Sequence, residues 1–166
     1  MVDKSLPEVS RLVAAANAAR WQSDVSERAE EPSAFDAERQ LDALFGTSQT
    51  LAVYGTLAPG RPNHHVVAPL GGEWTDGLIE GDLFPAGWGA TLGYPAFRPR
   101  VGGPAVAVQV LTSPMLAAAW PSLDRFEGSE YRRILVLVFK PDLADVRRLY
   151  TVANLYAAAE AGPDKG

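Results

Sequence analysis

Leu51-Ala52-Val53-Tyr54-Gly55-Thr56-Leu57-Ala58-Pro59-Gly60 changes character in its middle, and the reading of the fold turns on that change. Residues 51–54 form an apolar, β-favouring run of the kind that fills a sheet covered on both faces. Gly55-Thr56-Leu57 then turns the chain out of that sheet. A glycine directly after a buried strand marks a place where backbone comes close to something. Two partners fit: another strand, or a ligand whose negative atoms are held by the N–H groups of the turn. A second stretch bears on the choice, Leu123-Asp124-Arg125-Phe126-Glu127-Gly128-Ser129-Glu130-Tyr131-Arg132-Arg133.

Working downstream, residues 50–160 read as strands punctuated by Gly and Pro. Pro62 is placed to open a short helix reaching about Leu70, with Asn63, His64 and His65 in its first turn. Residues 74–84 form an extended segment broken by Gly77 and Gly81, the pattern of a bent strand or a barrel corner. Residues 84–104 are loop-rich, with Tyr94-Pro95-Ala96-Phe97 a short extended piece, and residues 106–111 make a strand. Ser113-Pro114 reads as a cap followed by proline at the first helical position. Pro121 is expected to restart that helix, because a mid-helix proline removes a hydrogen bond and clashes with the preceding turn. Gly128 ends it. Residues 131–139 alternate, with Tyr131, Arg133, Leu135 and Leu137 on one face and Arg132, Ile134, Val136 and Val138 on the other. Pro141-Asp142 marks a turn into a last strand over 146–157, with Tyr150 and Tyr156 on one face. Residues 161–166 read as a loose tail.

Upstream, residues 1–46 are a different material. Leu6, Val9, Val13 and Ala16 recur at helical spacing, predicting an amphipathic helix over 7–21. Ser33 reads as an N-cap with Asp36 three residues on. Phe35, Leu41, Leu44 and Phe45 then share a face of a second helix ended by Gly46. These helices either dock a partner or second subunit, or, as the favoured reading, pack against the chain's own domain or are partly disordered.

Composition narrows the function classes. The 166 residues, 47% hydrophobic, suffice for one well-filled core with an extension. A formal net charge of -5 and no basic stripe argue against a nucleic-acid surface. Zero cysteines exclude disulfides, thiolate metal sites and a Cys nucleophile, and fit a reducing cytoplasm. No apolar run approaches membrane-spanning length. The two histidines, His64 and His65, are adjacent; on a helix they point about 100° apart and cannot share one ion, so no metal site is expected.

Glu127 stands out on physical grounds. A carboxylate in the last turn faces the negative end of the helix dipole, and Leu123 and Phe126 surround it with apolar sequence. Both effects raise its pKa and make it a better proton acceptor near neutrality. The plainer alternative is a solvated helix-end residue. Asp124 and Glu130 compete for the same role, or pair with Arg125, Arg132 or Arg133 as surface charges.

Tyr54-Gly55-Thr56-Leu57 after an apolar strand, Tyr94-Pro95-Ala96 in the middle, and Leu123-Asp124-x-x-Glu127-Gly128 followed by Tyr131-x-Arg133 together resemble the gamma-glutamylcyclotransferase-like superfamily. Asn63-His64 resembles a further frequent feature. The resemblance covers residues 50–158. It implies an α+β fold, a small β-barrel with short flanking helices, here preceded by a helical extension. The implied division is 1–48 extension, 49–160 cyclotransferase-like domain and 161–166 tail. It implies an enzyme that cyclises a γ-glutamyl amide to 5-oxoproline and releases the amine, with Glu127 as general acid and base and no cofactor. Gly55, Thr56 and Leu57 would bind the small-molecule γ-glutamyl substrate through backbone amides.

Such chemistry needs no Ser-His or Cys-His pair, because the substrate carries its own nucleophile. Tyr54 and Tyr131 are candidate cavity residues, Tyr131 bonding Glu127 or the substrate, or else both are core aromatics with satisfied hydroxyls. Arg133 either meets a substrate carboxylate or anchors Asp124, the favoured role. Trp74, Trp88 and Phe97 are candidate walls. Two other classes of reading stand beside the enzyme: a non-catalytic ligand-binding domain of the same fold, and a partner-binding protein or homodimer acting through the N-terminal helices.

Overall fold

A computed structural model describes residues 4–21, 33–85, 88–141 and 148–159. It contains six strands: β1 (Thr50–Val53), β2 (Glu73–Phe84), β3 (Ala96–Pro99), β4 (Ala105–Thr112), β5 (Tyr131–Phe139) and β6 (Leu149–Ala158). Three α-helices accompany them: α1 (Leu6–Trp21), α2 (Ala34–Phe45) and α3 (Leu116–Glu127). The strand order is β3-β2-β4-β1-β6-β5, and a further pairing of Leu78 with Phe139 brings β2 back to β5. Five strands thus close into a barrel, and β3 extends β2 outside it. All pairings are antiparallel except β1 with β6.

The barrel is too narrow for anything but side chains. Ala52, Ile79, Val106, Val108, Val110, Ile134, Val136, Val138 and Leu155 form its buried filling with Phe97. The alternation in β5 sends Ile134, Val136 and Val138 inward, while Leu135 packs outward beneath the N-terminal helices. Both faces of the strand are covered, which is why its sequence reads as a nearly unbroken apolar run. Gly77 pairs with Val108 in an unbroken β2–β4 register, and a Cβ there would collide with Cγ1 of Val138. Glycine is required at that position by close packing against β5.

The first helix buries Val9, Leu12, Val13 and Ala16, and α2 adds Ala37 and Leu41, against Leu135 and Val152 on the outside of β5 and β6. The helices pack on their own domain, as favoured. Ser33 caps α2 by accepting from the Asp36 N–H at 3.1 Å, and Gly46 ends it with φ 65°. One detail corrects the sequence reading: Phe35 is 70% exposed and not on the buried face. The covered stripe runs through Ala37 and Leu41, and Ala37 lies about 200° round the helix from Phe35.

Two further corrections concern local structure. The segment after Pro62 forms two single 3₁₀ turns, His64–Val66 and Ala68–Leu70, in place of one helix; Pro69 denies its second half an N–H. The third helix is continuous across Pro121. It begins at Leu116 without a side-chain cap, while Ser113 Oγ instead donates to Leu70 O and accepts from the Met115 N–H. Proline costs this helix one backbone bond, and the stripe Leu116, Trp120, Leu123, Glu127 is buried along its whole length. That burial outweighs the break. The last strand starts at Leu149; the expected start at Val146, the Asp142 half of the turn and the 161–166 tail lie outside the described residues.

Candidate functional site

The end of β1, the turn after it, the C-terminus of α3, the start of β5 and residues 88–95 enclose one half-open cavity of ≈ 40 Å³. Gly55, Thr56 and Leu57 line it, and so do Glu127, Tyr54 and Tyr131. The two stretches picked out in the sequence, more than sixty residues apart, therefore meet across a single space.

Glu127 reaches the cavity because α3 is held one turn earlier. Arg133 grips Asp124 through Nε at 2.9 Å and Nη2 at 3.3 Å, and the Tyr156 hydroxyl donates to Asp124 Oδ1 at 2.7 Å. Gly128, at φ 76°, then closes the helix by donating to Asp124 O at 3.0 Å. Glu127 is left 7% exposed, with no hydrogen-bond donor to its carboxylate among the described residues. Burial pushes its pKa up to about 7.

The rival carboxylates are placed otherwise. Burial pushes Asp124 up, but the Arg133 guanidinium and the Tyr156 hydroxyl outweigh it and hold it below the usual carboxylate range. It is a structural anion, and Arg133 takes the anchoring role, its guanidinium also lying 4.5 Å from the Trp120 ring centroid. Glu130 is exposed and does not line the cavity.

The turn after β1 faces open space at Gly55. A Cβ added to Gly55 would meet nothing within 4 Å, so neither a neighbouring strand nor a positive φ requires glycine there. Ala58 N–H returns to Gly55 O at 3.2 Å, and Asn63 N–H to Thr56 O at 2.9 Å, which fixes the turn through its carbonyls. His64 Nδ1 lies 2.9 Å from Leu57 O and secures the turn from outside. The N–H groups of Gly55, Thr56 and Leu57 find no acceptor among the described residues.

The tyrosines divide. Tyr54 donates to Tyr156 O at 2.7 Å and accepts from the Phe97 N–H at 3.1 Å, so its hydroxyl is spent on the barrel although its ring borders the cavity. Tyr131 accepts from the Gly89 N–H at 3.1 Å and makes no bond to Glu127. Of the expected walls only Trp88 is one: Trp74 packs on His64, and Phe97 is fully buried in the barrel. Trp88 also does what size alone did not indicate, donating Nε1–H to the main-chain carbonyl of Glu127 at 3.0 Å. Gly89, Tyr94, Pro95 and Tyr156 complete the lining. Gly89 and Tyr156 carried no sequence signal; Tyr94-Pro95 stood in the middle motif without a role.

A family model described as gamma-glutamyl cyclotransferase, AIG2-like, matches residues 51–165. Among solved structures, an AIG2-like protein from Mus musculus aligns with a TM-score of 0.51 at 23% identity, covering 70% of this chain and 80% of that one. An uncharacterised protein from Pyrococcus horikoshii aligns at 0.46 and 20% identity, over 66% of this chain and 77% of that one. At 23% identity the likeness to the mouse protein is one of fold. No curated protein matches the sequence.

Proposed function

The chain belongs to the gamma-glutamyl cyclotransferase, AIG2-like family, and from that premise we propose that it cyclises a γ-glutamyl amide to 5-oxoproline and releases the amine. One observation carries this reading: a buried carboxylate without a donor, Glu127, shares a cavity with a turn whose N–H groups are unspoken for.

The substrate's α-amino nitrogen attacks its own γ-carbonyl carbon, forming the ring C–N bond. Glu127 takes a proton from that nitrogen and gives it to the departing amine as the original amide bond breaks, so the carboxylate is restored. A pKa of about 7 suits both halves of the task, since the group is then neither too weak a base nor too weak an acid. Gly55, Thr56 and Leu57 supply N–H groups for the substrate carboxylate or the developing oxyanion. Holding the glutamyl chain folded on itself contributes about 7 kcal/mol or more of the barrier reduction. Trp88 and Tyr131 wall the space and keep water from competing with the amine.

The experiment is incubation with a panel of γ-glutamyl amino acids and γ-glutamyl amines, with 5-oxoproline measured by mass spectrometry. Time-dependent 5-oxoproline from at least one member is expected. Binding without product from any member would replace the enzyme by a ligand-binding domain of the same fold.

A further inference from the structure

A second cavity, ≈ 260 Å³, lies among α1, α2, α3, β5 and β6, and none of its lining residues borders the first cavity. Its floor is built from two guanidiniums held together by one amide. Asn154 Oδ1 accepts from Arg20 Nη1 at 2.8 Å and from Arg133 Nη1 at 3.1 Å, while its Nδ2 donates to Thr47 O at 2.7 Å. Asn154 is 2% exposed, so this orientation is fixed.

The charges around the cavity do not cancel into silence. Glu38 has both oxygens occupied by Arg20, at 2.6 and 2.9 Å, and Asp42 Oδ1 accepts the Ser48 N–H at 2.8 Å. Arg133 bonds through three of its N–H groups, leaving two of the five a guanidinium carries. Arg39 has no carboxylate partner among the described residues; its guanidinium lies 5.7 Å from the ring of the exposed Phe35 at the rim. Arg133, fixed by its bonds to Asp124 and Asn154, and the exposed Arg39 bring guanidinium donors to one recess in which Glu38 is neutralised by Arg20, and planar guanidinium donors of this kind match an oxyanion.

We propose that this cavity is a binding site for the oxyanion of a small molecule, a phosphate or a carboxylate, with Arg39 and Arg133 as its principal contacts. The proposal does not depend on cyclotransferase activity, because its readout is binding.

The test is titration of the full-length protein with inorganic phosphate and, separately, with citrate, following the Trp120 indole N–H resonance by NMR. Trp120 lines the cavity and its Nε1–H is tied to Ser48 O at 2.9 Å, so it reports occupancy. Chloride at matched ionic strength is the reference. A saturable shift with at least one oxyanion is expected, weakened about tenfold in Arg39→Ala, whose exposed side chain leaves the core untouched. Which anion saturates distinguishes a phosphate from a carboxylate ligand. A shift no different from that of chloride, or saturation indifferent to Arg39→Ala, overturns the proposal.

Discussion

Glu127 carries opposite consequences for stability and for chemistry. Its pKa is raised from 4.5 to about 7 in the folded chain, so the unfolded state gives up the proton first. Stability attached to this group is therefore full below about pH 4.5, falls as pH rises towards 7, and is lost above it. The loss is at most about 3 kcal/mol. Glu127→Gln should accordingly unfold at a higher temperature than wild type at pH 8, with the advantage gone at pH 4; calorimetry at both values checks it. In wild type kcat/KM should climb through a pKa of about 7 as the base loses its proton. Gly55→Ala has room and no φ penalty, so circular dichroism and melting should match wild type while KM for the substrate rises. Glu127 was legible because Gly128 placed it at a helix end among apolar neighbours. The Trp88 indole bond was not, since it joins a side chain to a main-chain carbonyl across 39 residues and leaves no pattern.

At the scale of elements, the strands announced themselves through alternation and glycine punctuation, while helix limits at prolines did not. Pro121 looked like a boundary because local sterics argue for one, but Leu116, Trp120, Leu123 and Glu127 make a buried stripe that spans it. Pro121 is exposed, so Pro121→Ala should raise stability by about 1 to 3 kcal/mol in denaturant titrations. The first helix does more than cover a face. Asn17 Nδ2 donates to Leu135 O and Asn17 Oδ1 accepts the Leu135 N–H, both at 2.8 Å, so its amide stands in for a neighbouring strand. It does so along the edge of β5, which meets β2 at a single pair among the described residues. Asn17→Ala leaves two backbone groups of β5 without partners and should cost about 2 kcal/mol or more, read by chemical denaturation.

The whole molecule is a barrel whose seam, joined at Leu78 and Phe139, is covered at Leu135 by a helix that the sequence presented as part of an appendage. The composition shift near residue 46 is real, but α1 and α2 share a core with Leu135 and Val152 and cannot be inferred as separable from composition alone. Removal of residues 1–48 should abolish the cooperative unfolding transition of the remainder, since it uncovers that core and the β5 edge together. The meeting of the Gly55 turn with Glu127 was anticipated from the resemblance of three short motifs; the charged cavity beside Asn154 was not, because its residues come from six elements, a 3₁₀ turn at 47–49 among them, with no common spacing. The most direct test compares 5-oxoproline formation by wild type and Glu127→Gln on one γ-glutamyl substrate at pH 7.5. A loss of about a hundredfold or more in kcat, with the variant folded and still binding substrate, is the predicted result. Turnover by the variant equal to that of wild type would contradict it.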